Sequence, residues 1–130
     1  MIAWLAGELD RLRSLWPTLE YEDNGSWVLW RSYPLPEGWT QDQVDLAFRI
    51  PPNLPAEQPY AFWVRNGLSL ASGTPIGNYQ FPSEPVPFSA DPWGKFSWSP
   101  EVWRPGGVPG AGDGMVQFVV SFRRRLEELS

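Results

Sequence analysis

Residues 66–112 combine frequent proline and glycine with many large aromatic side chains. The prolines and glycines include Pro75, Gly77, Pro82, Pro85, Pro87, Pro92, Gly94, Pro100, Pro105, Gly106, Gly107 and Pro109. Proline fixes φ and lacks an amide donor, so regular sheet is not expected across this segment. The rings, from Tyr79 to Trp103, are too many for a mobile linker. The pattern predicts a long ordered loop held down by its aromatic side chains, and such loops usually carry function.

The two ends of the chain have helical periodicity. Residues 1–17 place apolar side chains three and four positions apart, which predicts an N-terminal helix that ends at Pro17. Residues 113–130 predict a second helix, with Asp113 at the expected N-cap position. The basic residues at 123–125 are expected on a solvated face near its C-terminus.

Residues 20–65 have the character of strands. Residues 27–30 and 61–64 are aromatic and β-branched, and residues 44–50 alternate between apolar and polar side chains. Turn residues at 23–25 and a proline-rich bend separate these runs, which favours an antiparallel meander. The whole chain, 1–130, is therefore predicted to be one α+β domain.

Composition excludes several kinds of chemistry. The 130 residues include no Cys and no His, which excludes thiol nucleophiles, disulfides, Cys/His zinc sites and histidine bases. A net charge of −5 argues against a nucleic-acid surface. Neither a signal peptide nor a membrane span is expected, so a cytoplasmic location is predicted.

Two motifs, FRIPPNLPAEQPY at 48–60 and Trp98-Ser99-Pro100, stand out in the sequence. The first, a strand followed by a proline-rich bend, resembles that part of the ubiquitin-conjugating enzyme fold, with Leu54 where that fold usually has an aromatic residue. The second is similar to the Trp-Ser-Pro that follows the catalytic loop of that fold. The longer run FSWSPEVWRPG at 96–106, with Asp113 after it, resembles a prokaryotic branch of the family.

The resemblance, which covers residues 35–129, implies a fold and a set of partners. It implies a ubiquitin-conjugating enzyme-like fold: an N-terminal helix, an antiparallel meander, a long ordered loop and a C-terminal helix. Members of the branch are encoded beside ubiquitin-like proteins and ThiF-type activating enzymes, so these are the expected partners. A role in a bacterial conjugation pathway follows, with antiviral defence as one setting, and no cofactor, metal, nucleic acid or membrane is expected.

The departure from the family is the missing catalytic cysteine. One interpretation gives its role to a serine that carries an oxyester, either Ser97 or Ser99. Ser97 is favoured because it precedes the Trp-Ser-Pro as the catalytic residue does in the family. Asn78 would then stabilise the oxyanion, and Asp91 or Glu101 would be the base. The other interpretation is a non-catalytic domain that binds a ubiquitin-like protein or its activating enzyme.

The predicted binding residues also have structural interpretations. Trp98, Trp103 and Arg104 could clamp an extended C-terminal tail, or they could lock the loop onto the closing helix. Arg11, with its neighbours Glu8 and Arg13, lies on the helix that docks activating enzymes in this fold.

Two readings from other classes of protein stay open. The 9 Trp residues could form a carbohydrate-binding platform, although most stand where burial is expected. A small acidic protein of the immunity type would also fit the charge and the length.

Overall fold

The computed structural model describes residues 3–22, 27–53, 56–99, 103–104 and 112–128, with side chains from residue 6 onward. Helix α1 spans Ala3–Leu15 and helix α2 spans Met115–Glu127. The strands are β1 Glu20–Tyr21, β2 Trp27–Pro34, β3 Gln43–Arg49, β4 Phe62–Arg65, β5 Tyr79–Gln80 and β6 Trp93–Phe96. They form one antiparallel sheet in the order β1-β2-β3-β4-β6-β5. The predicted α+β architecture, with a helix at each end and an antiparallel sheet between, is confirmed. The turn predicted at 23–25 lies outside the described residues.

The sheet extends into the segment where no strands were expected. That prediction is wrong for β5 and β6, which add two strands beyond β4. Both strands are short, and Pro82, Pro85, Pro87 and Pro92 fall between them in the connecting loop, so none removes a ladder hydrogen bond. The high proline density therefore belongs to the connection and not to the strands.

Each face of the sheet has its own apolar cluster. On the inner face, the main core joins both helices to the sheet and includes Leu12, Phe48 and Phe118. On the outer face, a smaller cluster around Trp63 and Trp93 is covered by part of the β5–β6 loop. The alternating strand pattern thus divides its side chains between two cores. In the described ranges, no helix has the length and apolar character to cross a bilayer.

A buried carboxylate connects the two helices. Glu8 of α1 is 1% exposed, and its Oε1 accepts the Met115 amide at 2.7 Å, at the start of α2. The predicted N-cap at Asp113 is wrong, because the N-cap residue is Gly114 and it makes no side-chain cap. A Cβ at Gly114 would overlap the Glu8 carboxylate, so this approach requires glycine. The cap of α2 therefore comes from another helix.

The arginine run at the end of α2 does not lie on one solvated face. Arg123 and Arg124 are exposed, but Arg125 is only 3% exposed. Its Nη2 donates to the Gly77 carbonyl at 2.5 Å, and its guanidinium lies 5.2 Å from the centre of the Phe96 ring. The prediction fails at Arg125 because its side chain reaches the turn before β5.

Candidate functional site

Ser97 lies immediately after β6 and continues its pairing. The Ser97 amide donates to the Asn78 carbonyl at 2.8 Å, and on the other side the Ala61 amide donates to the Trp98 carbonyl at 2.6 Å. Phe96 and Trp98 both pack against the main core on the inner face. Because side chains alternate along an extended chain, the exposed Ser97 faces the outer side of the sheet.

The structure pairs the backbone of Asn78 with that of Ser97. Asn78 is exposed and has a left-handed φ of 52°, a conformation that asparagine adopts more readily than most residues. The carbonyl of the preceding Gly77 is held by Arg125. Burial lowers the pKa of Arg125, a penalty that Glu128 partly offsets. A buried cation thus fixes the turn that carries Asn78.

Trp98 locks the chain after β6 onto α2. Its indole Nε1 donates to Ser121 Oγ at 2.9 Å, and the Arg124 guanidinium lies 5.2 Å from its ring centre. Ser99 is half-buried, and residues 100–102 lie outside the described part of the chain. The packing interpretation of Trp98 is therefore supported by direct contacts with α2.

Trp103 and Arg104 belong to a short described stretch near the start of α2. Trp103 is half-buried and packs against the main core. The Arg104 amide donates to Asp113 Oδ2 at 2.7 Å, and the Asp113 amide donates back to the Arg104 carbonyl at 2.9 Å. Arg104 and Asp113 are therefore linked through the Arg104 backbone.

Asp91 is not brought to Ser97. It precedes β6, whereas Ser97 follows that strand, and its carboxylate accepts from Arg65 Nε at 2.9 Å. The hydrogen bond with Asp91 raises the pKa of Arg65, and Asp45 adds to the effect. Glu101, the other predicted base, lies outside the described residues. Within the part of the chain that the structure describes, no side chain is hydrogen-bonded to the Ser97 hydroxyl.

The surface proposed for docking on α1 is smaller than expected. Glu8 is buried, so its predicted contact with an activating enzyme is wrong. Arg11 is 40% exposed at its side chain, with Nε 3.7 Å from Glu8 Oε2, and Arg13 is 54% exposed. Of the three residues predicted for docking, Arg11 and Arg13 are therefore accessible at the surface.

Lys95, the only lysine in the sequence, lies on the outer side of the sheet beside an acidic residue and two aromatic rings. Lys95 Nζ lies 3.2 Å from Glu84 Oε1 and 5.5 Å from the ring centres of both Tyr60 and Trp63. These residues line a cavity of 180 Å³ on the outer side of the sheet, with Arg49 and Glu57 among the others. Partial burial acts to raise the pKa of Glu84, but its own amide and Lys95 together hold it below its usual value. Lys95 and Ser97 are two residues apart along an extended segment, so the sequence could have predicted that they lie on the same face of the sheet.

None of the Trp side chains that the structure describes is fully exposed. The rings pair with one another or with the cores, as Trp16 does with Trp30 and Trp27 with Trp63. A carbohydrate platform needs exposed rings in one plane, so the described surface does not support that reading.

The two terminal helices and the antiparallel sheet make an α+β protein, an architecture consistent with the E2-like class, E2 being the conjugating component of ubiquitin-like pathways. The chain belongs to the prokaryotic E2 family E, whose family model matches residues 11–128. Neither the curated proteins nor the solved structures gave a match. Membership of this family indicates involvement in a ubiquitin-like conjugation pathway.

Proposed function

We propose that this chain carries a ubiquitin-like protein as an oxyester on Ser97, within a ubiquitin-conjugating enzyme-like fold. Its partners would be that ubiquitin-like protein and a ThiF-type activating enzyme. The observation that supports this proposal is the placement of Ser97 beside Asn78 at the exposed end of β6. In the proposal, the Ser97 hydroxyl is the nucleophile and the Asn78 carboxamide lies on the neighbouring residue across the pairing.

The proposed step is an acyl transfer. Ser97 Oγ attacks the activated C-terminal carbonyl of the ubiquitin-like protein, held as a thioester on the activating enzyme. The C–O bond forms, the C–S bond breaks, and the serine proton leaves with the departing sulfur. The Asn78 carboxamide would donate a hydrogen bond to the oxyanion of the tetrahedral intermediate.

A serine ester has a different lifetime from a cysteine thioester. An alkoxide is a poorer leaving group than a thiolate, so an oxyester persists longer before transfer. The absence of cysteine from the sequence would thus favour a slow, durable carrier. Ser99 is the second choice for the same role because it is half-buried after the anchored Trp98.

The test is the intact mass of the chain after incubation with ATP and the ubiquitin-like protein and activating enzyme encoded beside it. We expect one added mass of the ubiquitin-like protein, removed by hydroxylamine and abolished in Ser97→Ala. Ser72→Ala is the matched control, since Ser72 is an exposed loop serine that bonds only locally to Thr74.

Three results would overturn the proposal. An adduct that survives in Ser97→Ala and is lost in Ser99→Ala would move the site to Ser99. An absence of adduct, with co-elution of the partners on a sizing column, would make the chain a non-catalytic binding domain. An absence of both would reject the pathway partners themselves.

A further inference from the structure

Lys95, the only lysine of the chain, shares the outer face of the sheet with Ser97. Lys95 pairs across the sheet with Trp63, whose ring belongs to the outer cluster. Phe96, which separates Lys95 from Ser97 in sequence, packs inward against the main core. Residues two apart on an extended strand are separated by about 7 Å and point the same way. The chain's single primary side-chain amine therefore neighbours its predicted nucleophile.

The Lys95 ammonium group also contacts a residue at Ser97's end of β6. Tyr60 precedes Ala61, whose amide binds the carbonyl of Trp98, so Tyr60 lies level with the residues after β6. Lys95 Nζ is 5.5 Å from the centre of the Tyr60 ring, and Tyr60 is 50% exposed. Because the lysine stem is long and flexible, small rotations move its amine along this face.

Glu84 restrains that amine. Its carboxylate lies 3.2 Å from Lys95 Nζ, and the Lys95 side chain is 23% exposed. The ion pair and the contacts with the two rings hold the amine in this position. Without Glu84, the amine would be freer to leave the rings and move along the face.

We propose that Lys95 is an internal acylation site, and that Glu84 restrains it from attacking an ester on Ser97. This inference rests on the proposed function. In the step, the neutral Lys95 amine attacks the ester carbonyl, the C–N bond forms and the C–O bond to Ser97 breaks. The proton lost by nitrogen passes to Ser97 Oγ, which leaves a stable isopeptide on Lys95 and a free serine.

The experiment follows both adducts over time with the same ubiquitin-like protein, activating enzyme and ATP. Hydroxylamine removes the ester and leaves the isopeptide, and tryptic mapping locates the isopeptide as a missed cleavage at Lys95. We expect a slow hydroxylamine-resistant adduct in the wild type. It should form about two- to fivefold faster in Glu84→Gln, the size expected for losing a partly exposed ion pair. Lys95→Arg should form the ester alone.

Glu57→Gln is the matched control, because Glu57 lines the same cavity and forms no described ion pair with Lys95. It should form the resistant adduct at the wild-type rate. The inference is overturned, and the proposed function kept, if the ester forms but no resistant adduct maps to Lys95 in either wild type or Glu84→Gln. Equal acceleration by Glu57→Gln would also overturn the role of Glu84. If neither adduct forms in any variant, the proposed function itself fails.

Discussion

Glu8 shows how a single residue can serve a helix to which it does not belong. Its carboxylate is 1% exposed and accepts the first amide of α2 at 2.7 Å. A negative charge at a helix N-terminus satisfies a free amide and also interacts favourably with the helix dipole. The Met115 amide is thus the partner that compensates for the burial of the Glu8 carboxylate.

Glu8→Ala should lower the free energy of unfolding by about 1–3 kcal/mol, because it leaves the Met115 amide buried without an acceptor. Glu8→Gln should have a smaller effect, since its amide oxygen can still accept. Asp10→Ala on the same helix, at a position 82% exposed, should change stability by less than about 0.5 kcal/mol. Urea unfolding measures all three, and equal values for Glu8→Ala and Asp10→Ala would refute the cap.

Gly114→Ala should destabilise the protein because its new methyl group would overlap the Glu8 carboxylate. The loss should be about 1–3 kcal/mol in the wild type and smaller in a Glu8→Ala background, where the overlap is removed. A double-mutant cycle from urea unfolding gives the coupling. Additive effects would show that Glu8 and Gly114 do not constrain each other.

At the scale of elements, Arg125 connects α2 to the turn that carries Asn78. Arg125→Met keeps much of the length of the side chain but loses the donor to the Gly77 carbonyl. It should lower stability by about 1.5–3 kcal/mol and slow the formation of the Ser97 ester. Arg123→Met is the control, because Arg123 is 47% exposed and should change stability by less than about 1 kcal/mol.

Two measurements separate positioning from general stability in this prediction. Urea unfolding gives the stability, and the rate of ester formation is then compared at a temperature where both variants are folded. Arg125→Lys should recover part of the rate, since an ammonium can also donate to the Gly77 carbonyl. A normal rate in Arg125→Met would show that the turn needs no anchor.

The elements with regular periodicity were predictable from the sequence, and those defined by distant contacts were not. Strand β3 alternates between apolar and polar residues up to Leu46, so its inner side chains Val44, Leu46 and Phe48 could be named in advance, although Ala47 is also buried, in the outer cluster. Strands β5 and β6 are too short to show a periodic pattern, and the prolines of the neighbouring loop argued against strands in this segment. The same holds for the site, where Asn78 and Ser97 were predicted as partners but the Arg125 anchor depends on packing between α2 and a turn.

At the scale of the whole molecule, the absence of His and Cys shapes the response to pH. Burial raises the pKa of Tyr33 and of Tyr79 above the ordinary tyrosine value of 10.0. The folded state therefore favours the neutral phenols. Their contribution to stability is complete below that ordinary value and is lost as the pH rises through the raised pKa values of the folded state.

The free energy of unfolding should consequently change little between about pH 6 and pH 8, where no His or Cys is present to titrate. It should fall once the pH exceeds the ordinary tyrosine value of 10.0. Urea midpoints across this range measure the profile, and Tyr79→Phe should make its alkaline part shallower. A slope near neutrality as steep as the alkaline slope would contradict this account.

The contact between Glu8 and Met115 has a consequence for how the protein is made. These residues lie 107 positions apart, so a ribosome must synthesise almost the whole chain before the carboxylate meets its amide. Contacts of such sequence separation form late and slowly. In a nascent chain halted before α2, the Glu8 carboxylate would lack its Met115 partner. The correct placement of α1 would therefore require that translation had reached the second helix.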